Sequence, residues 1–129
     1  VKINLGFFSI KISFSFKASF RFEWKLLNSG SSNSVEKLLY SAEESTRSKA
    51  LRLITLLEEV GQHLEMPHSK IITDKIFELR VRGTQEIRML YTFHKGSAYL
   101  LHAFMKKTNK IPKKEIQTGQ RRKKLLDSI

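Results

Sequence analysis

Basic residues alternate with apolar ones along three segments in the second half of the chain, residues 76–82, 87–93 and 98–106. Successive side chains of a β-strand point to opposite faces, so this alternation predicts that the apolar side chains enter the core and the basic ones leave it. The side chains predicted to share the open face are Arg80, Arg82, Arg88, His102 and Lys106, with Phe104 among them. Further lysines at its edge are Lys107, Lys110, Lys113 and Lys114. Such a surface could bind the phosphates of a nucleic acid.

Alternation alone also fits a structural alternative. The same cations could form a solvated face and pair with Glu78 and Glu86, which lie on the same strands. Residue spacing does not decide between these two interpretations.

The charge balance favours a polyanionic partner. The 129 residues contain 24 Lys and Arg against 12 Asp and Glu, which gives a net charge of +12 and an isoelectric point near 10.1. Residues 105–129 alone carry +7. Nucleic acid is the commonest polyanion that such a field attracts inside a cell.

Several classes of site and location are not expected. The chain has no cysteine, so a disulfide scaffold and thiolate metal sites are excluded. It has no Gly-rich phosphate loop, nucleophile elbow or His-Glu metal motif, and its four histidines lack the spacing of metal ligands. No segment has the length of a membrane span, and the start lacks the pattern of a secretory signal. We therefore expect a cytoplasmic protein without a metal or cofactor.

The elements that position these residues follow from periodicity. Alternation from Ile12 to Leu26 predicts a strand over about 20–27, preceded by an extension, residues 1–19, of uncertain order. Capping signals at Asn33 and Ser41 predict helices near 34–41 and 42–60, with Gly61 after the second. Strands are predicted at 76–81, 87–93 and 98–105, and Pro112 begins a last basic helix that ends near 127. This order predicts an α+β domain with helices on one face of an antiparallel sheet.

Several strings of residues resemble the RelE/HigB-like toxin family, in particular its phage-derived branch. The most specific are Phe77-Glu-Leu-Arg-Val-Arg, Ile87-Arg-Met-Leu-Tyr, Leu100-Leu-His-Ala-Phe-Met-Lys-Lys-Thr and Ile111-Pro-Lys-Lys-Glu-Ile. Asn33-Ser-Val-Glu, Leu56-Leu-Glu-Glu-Val-Gly and Pro67-His68 precede them. The strings follow the family's order and spacing, although Ala103 and Met105 stand where the family commonly has Gly and Val.

The resemblance implies a RelE-like α+β fold with an N-terminal helical hairpin and a C-terminal basic helix, forming one domain over residues 20–129. It also implies the toxin of a type II toxin–antitoxin system, a metal-independent and ribosome-dependent messenger-RNA endoribonuclease that needs no cofactor. The implied partners are messenger RNA on the ribosome and a cognate antitoxin of the helix-turn-helix DNA-binding kind, with no membrane involved.

In this chemistry the ribose 2′-hydroxyl attacks the neighbouring phosphate, and basic side chains stabilise the negative charge that develops. The resemblance places Arg88 against the scissile phosphate, and Arg80, Lys106 and Lys107 where relatives carry further catalytic cations. We expect a secondary role in RNA binding for four others: Arg82, His102, Lys110 and Lys113. The general base is left open, because either a lysine among cations or His102 could titrate near neutral pH.

A second hypothesis comes from a different functional class. The same basic face could belong to a non-catalytic nucleic-acid-binding or regulatory module that contacts phosphates without cleaving them.

Overall fold

The computed structural model describes residues 2–5, 8–14, 20–26, 34–95 and 97–128, with side chains described for 35, 37–95 and 97–128. The helices are α1 (Ser34–Ser41), α2 (Glu44–Val60) and α3 (Lys113–Asp127), and a 3₁₀ turn (Gly61–His63) follows α2. The strands are β1 (Lys2–Leu5), β2 (Phe8–Phe14), β3 (Phe20–Leu26), β4 (Ser69–Thr73), β5 (Ile76–Val81), β6 (Ile87–His94) and β7 (Ser97–Met105). This is the predicted α+β fold.

Four antiparallel strands, β4 to β7, carry the candidate site. The strand order of the whole sheet is β3-β2-β1-β7-β6-β5-β4, and β1 joins β7 in parallel. Within the antiparallel part, Arg88 of β6 lies opposite Arg80 of β5 and Phe104 of β7. The two candidate arginines are therefore neighbours across the sheet, with Phe104 on the other side of Arg88.

Two apolar clusters lie on opposite faces of this sheet. Buried residues of α1 and α2 pack against one face, on a cluster that includes Ile54, Leu57, Leu79 and Met89. On the other face Leu126 of α3 belongs to a second cluster, completed by Ile76, Leu90, Leu101 and Phe104. The expectation that the helices share one face is therefore wrong. Strand β6 is buried on both faces from Ile87 to Thr92, because α3 covers the face that was predicted to be open.

An irregularity in the β6–β7 pairing changes which residues of β7 share a face. Leu90 pairs with His102 and Tyr91 pairs with Leu100, which leaves Leu101 as an extra residue in β7. As a result Tyr99 and Leu101 belong to the α3 cluster, whereas uninterrupted alternation placed them with Ala103. A β-bulge of this kind shifts the alternation by one position, so the prediction for the first half of β7 was wrong.

The bounds of most predicted helices and strands are confirmed to within two residues. Strands β1, β2 and β4 were not predicted. Gly61 ends α2 with a φ of 56° and donates its N–H to the Leu57 carbonyl. Ser41 does not cap α2, since its hydroxyl donates to the Leu38 carbonyl and Glu43 occupies the N-cap. The predicted loop at 28–33, with the Asn33 cap, lies outside the described residues.

A close approach of helix to strand fixes the position of α3. A Cβ built on Gly119 would lie 2.9 Å from Cδ1 of Leu90, which is fully buried. Glycine at this helix position therefore allows α3 to pack directly on β6.

We predict that Gly119→Val destabilises the protein by about 1–3 kcal/mol, because added methyl groups overpack a closed contact. The measurement is the urea midpoint of unfolding. Gln120→Val is the matched control, since Gln120 is exposed on the same helix and its replacement should leave the midpoint nearly unchanged. Equal midpoints for the two variants would contradict the proposed packing constraint.

Candidate nucleic-acid interface

Three strands bring basic side chains to the same end of the sheet. Strand β5 ends at Val81, β6 begins at Ile87 and β7 ends at Met105. The N–H of Lys106 donates to the carbonyl of Glu86 over 2.7 Å, which holds the end of β7 beside the start of β6. We call the set Arg80, Arg82, Lys106 and Lys107 the cationic end. Arg82 and Lys107 are exposed, and Arg80 and Lys106 are half-buried.

Arg88 lies beneath this end and not on its surface. Its side chain is 1% exposed, Nη2 donates to Oε2 of Glu86 over 2.8 Å, and Nη1 donates to the carbonyls of Ile87 at 3.1 Å and Val81 at 3.4 Å. The expectation that Arg88 leaves the core is therefore wrong. Alternation gave its direction relative to Ile87 correctly, but that direction leads to Phe104 and the buried carboxylate of Glu78 instead of to solvent.

The carboxylate of Glu78 lies between two arginines. Oε1 is 3.6 Å from Nε of Arg80, Oε2 is 3.6 Å from Nε of Arg88, and the Glu78 side chain is 5% exposed. The structural alternative of paired cations therefore holds for Arg80 and Arg88. The Arg80 side chain is only 12% exposed, but its guanidinium reaches the sheet edge, where Nη1 lies 3.4 Å from Sδ of the exposed Met66.

His102 is held between β7 and α3. Its Nε2 bonds to Oε2 of Glu115, its Nδ1 lies 3.4 Å from Nη1 of Arg122, and its ring stacks on Phe104 with 5.8 Å between centroids. Arg122 also donates to the Leu101 carbonyl over 2.7 Å. The His102 side chain is only 12% exposed, so the predicted open face around it is covered by α3.

Burial lowers the pKa of His102 below its ordinary value near 6.5, an effect that the Glu115 carboxylate opposes and that Arg122 and Arg121 reinforce. Burial likewise lowers the pKa of Arg122. The neutral form of His102 is thus favoured in the folded protein.

The other two residues predicted to bind RNA come after β7 in the chain. Lys110 lies in the connection from β7 to α3, and Lys113 is the first residue of that helix. Both are exposed, so they are accessible to a polyanion, but they lie outside the strand ends that gather the other cations.

Helix α2 contributes two cations that the sequence analysis did not select, Lys49 and Arg52. Both are exposed, and Nζ of Lys49 donates to the Arg82 carbonyl over 3.1 Å. The signal that could have identified them is their spacing of three residues, which puts them on one side of the helix.

The connection between β5 and β6, residues 82–86, is bound to α2 at further points. The Glu43 N–H donates to Oε1 of Gln85 over 2.9 Å, and the Thr84 hydroxyl donates to Oε2 of Glu43 over 3.1 Å. Together with the Lys49 contact, these bonds hold the turn that precedes Arg88.

Within the described residues no group of three or more His, Asp or Glu is arranged to hold a metal ion. In the same part of the chain, no helix is both long and apolar enough to span a membrane.

Replacing Arg88 should destabilise the fold. Arg88→Ala leaves the buried Glu78 with one ion-pair partner fewer, and breaking a buried pair costs about 3–5 kcal/mol. The measurement is the free energy of unfolding by urea. Arg82→Ala, which removes an exposed cation one strand away, should cost about 0.5 kcal/mol or less. Similar stabilities for the two variants would show that the buried pair contributes little.

The lowered pKa of His102 makes stability depend on pH. Below about pH 6.5 the unfolded chain binds a proton at this site more readily than the folded protein does. The melting temperature should therefore fall as the pH falls from 7 towards 5, and His102→Gln should reduce that slope. The exposed His63→Gln is the control and should keep the slope of the unmodified protein. An unaltered slope in His102→Gln would contradict the assignment.

The model of the family described as "Phage derived protein Gp49-like (DUF891)" matches residues 37–124, about two thirds of the chain. The match extends from α1 into α3 and includes every predicted site residue. No curated protein matches the chain. The family is toxin-like and related to RelE and HigB, and a toxin-like family implies an antitoxin partner in general. The chain therefore belongs to the phage-derived Gp49-like family.

Proposed function

We propose that the protein is the toxin of a type II toxin–antitoxin system and that it cuts messenger RNA on the ribosome without a metal or cofactor. The observation that carries the proposal is the cationic end, where Arg80 and Arg82 at the end of β5 and Lys106 and Lys107 after β7 lie on either side of the start of β6. Membership of a toxin-like family supports it. The protein would then act in the cytoplasm, where its substrate is translated.

The cleavage needs no group beyond RNA and protein side chains. The 2′-oxygen forms a bond to the adjacent phosphorus, the bond from phosphorus to the 5′-oxygen breaks, and the products are a 2′,3′-cyclic phosphate and a free 5′-hydroxyl. One proton leaves the 2′-hydroxyl and another reaches the 5′-oxygen. Negative charge grows on the non-bridging oxygens as the bonds change, so preorganised cations accelerate the step.

Under this proposal the accessible cations divide these tasks. Arg80 and Lys106 would contact the scissile phosphate, and Lys106 and Lys107 are the accessible candidates for proton transfer. Arg82, Lys110 and Lys113 are exposed and would bind flanking phosphates.

The buried residues are assigned indirect roles. Arg88 would position Arg80 through their shared carboxylate, Glu78, because a side chain that is 1% exposed cannot touch RNA in this conformation. His102 would position α3 through Glu115 and Arg122.

The partner under this proposal is a cognate antitoxin of the helix-turn-helix DNA-binding kind. Family membership supports an antitoxin in general, and the helix-turn-helix class rests on the resemblance to HigB-type systems. Growth arrest on expression of the chain alone, relieved by coexpression of that partner, would be the cellular counterpart of cleavage.

One observation favours the second candidate function, a module that binds nucleic acid without cleaving it. Arg88 and His102, two of the residues selected for phosphate chemistry, are buried beneath other elements. The exposed cations that remain could bind phosphates without cleaving the RNA. Cleavage on programmed ribosomes distinguishes the two functions, since a binding module leaves the message intact.

We predict that purified protein cuts messenger RNA on programmed ribosomes, and that Arg80→Ala and Lys106→Ala each lower the rate by about 10²–10³-fold, the cost of one donor to a developing oxyanion. Arg80→Lys should recover part of the rate, because it keeps the charge without the planar fork. Lys124→Ala, an exposed cation in the last turn of α3, is the control and should cut normally.

Melting curves accompany each variant, since Arg80 also pairs with the buried Glu78. Normal cutting by stable Arg80→Ala and Lys106→Ala variants would move the active site elsewhere. If the protein binds ribosomes but the messenger RNA stays intact in every reaction, the non-catalytic module is favoured.

A further inference from the structure

A groove of about 550 Å³ lies between α2 and the end of β5, beside the turn at Pro67 and His68. Its aliphatic lining residues, here called the floor, are Leu53, Leu56, Val81 and Pro67. Val81 is buried, both leucines are half-buried and Pro67 is exposed, so part of this apolar surface is open to solvent. We call this feature the α2 groove. Ligand-binding clefts are concave, mostly apolar and about 300–1,000 Å³ in volume, a range that includes this groove.

The apolar surface continues beyond the groove. Met66, next to Pro67, is 57% exposed, and its sulfur contacts the Arg80 guanidinium. Methionine adapts its shape to a bound partner more readily than branched side chains do. The floor and Met66 together form an apolar surface that can adapt its shape to a bound partner.

The rim of the groove is positively charged. Four cations lie along it, Lys49, Arg52, Arg80 and Arg82, against the one carboxylate of Glu59 among the described lining residues. Three of the four are exposed, and Arg80 is half-buried. A ligand for this surface therefore needs both negative charge and apolar side chains.

Peptide fits this combination better than RNA. Single-stranded RNA is held by stacking its bases on aromatic rings or on Arg guanidinium planes. The described lining residues include His68 and three arginines that could stack on a base, but the aliphatic residues Leu53, Leu56, Val81 and Pro67 offer no ring to one. An amphipathic peptide places aliphatic side chains on a floor of this kind and its carboxylates against arginines, which bind them through two parallel hydrogen bonds.

We propose that the α2 groove is the docking site for an acidic peptide segment of a partner protein, which inserts aliphatic side chains between α2 and β5. Its carboxylates pair with Arg52 and Arg82 on the rim. Because Arg80 lines the groove and also belongs to the cationic end, the docked segment covers a residue that the proposed function assigns to RNA. That last consequence rests on the proposed function, whereas docking itself does not.

The test uses fluorescent peptides rich in Glu and Leu, as long as α2, with leucines spaced either for a helix or for a strand. Anisotropy measures their binding to the full chain. At least one spacing should bind, and replacing its leucines by serine at constant charge should weaken binding by roughly tenfold or more, since the aliphatic contacts are lost.

Arg52→Glu should also weaken binding by roughly tenfold, because it reverses a charge on the rim. The matched control is Lys114→Glu, the same charge reversal at an exposed residue of α3, which should bind nearly as the unmodified protein does. Ribosomal cleavage is measured separately, so a failure of the proposed function does not affect this result.

Three outcomes would overturn the proposal. The first is no binding at either leucine spacing, and the second is equal binding of the serine peptide, which would indicate attraction to any polyanion. The third is a loss of oligouridylate binding in Arg52→Glu with peptide binding unchanged, which would assign the groove to RNA.

Discussion

Burying the positive charge of Arg88 imposes a requirement that organises this end of the molecule. A guanidinium removed from water must be compensated by carboxylates and carbonyls, since an unpaired buried charge is costly. Glu86, Glu78 and the carbonyls at the ends of β5 and β6 provide that compensation. Glu78 is in turn shared with Arg80, so an arginine at the sheet edge, with 12% of its side chain exposed, is oriented by a buried carboxylate. The accessible chemistry of the cationic end thus depends on an ionic layer directly below it.

The second organising feature is the division of the sheet into two covered faces. Helices α1 and α2 bury one face and α3 buries the other, with Gly119 allowing the close approach to Leu90. Because α3 begins near His102 and packs along β6 and β7 from there, it leaves the strand ends accessible while it covers the middle of the sheet. Function in this domain is therefore expected at an end of the sheet and at its junction with α2, and not across a broad concave face.

Periodicity predicted much of the fold because α2, β5, β6 and α3 each satisfy their own local pattern. It predicted neither β4, a five-residue strand directly after a turn, nor the bulge at Leu101, which depends on pairing with Leu90. For the site, alternation gave the direction of Arg88 correctly but not its surroundings. Whether a strand face meets water depends on an element far along the chain, here α3, and a local pattern carries no such information. The apolar residues Leu90 and Phe104, both on the supposedly polar face, were the available signal.

The bonds that tie residues 82–86 to α2 have an energetic consequence for recognition. A connection between strands usually samples many conformations and loses that freedom when a ligand orders it. Here Glu43, Lys49, Thr84 and Gln85 have already removed that freedom during folding. The backbone of Arg82 and of the start of β6 is therefore already ordered before a ligand binds. The conformational entropy lost on binding then comes largely from flexible side chains. Association at this corner should be governed by desolvation and charge, with little contribution from reshaping of the main chain.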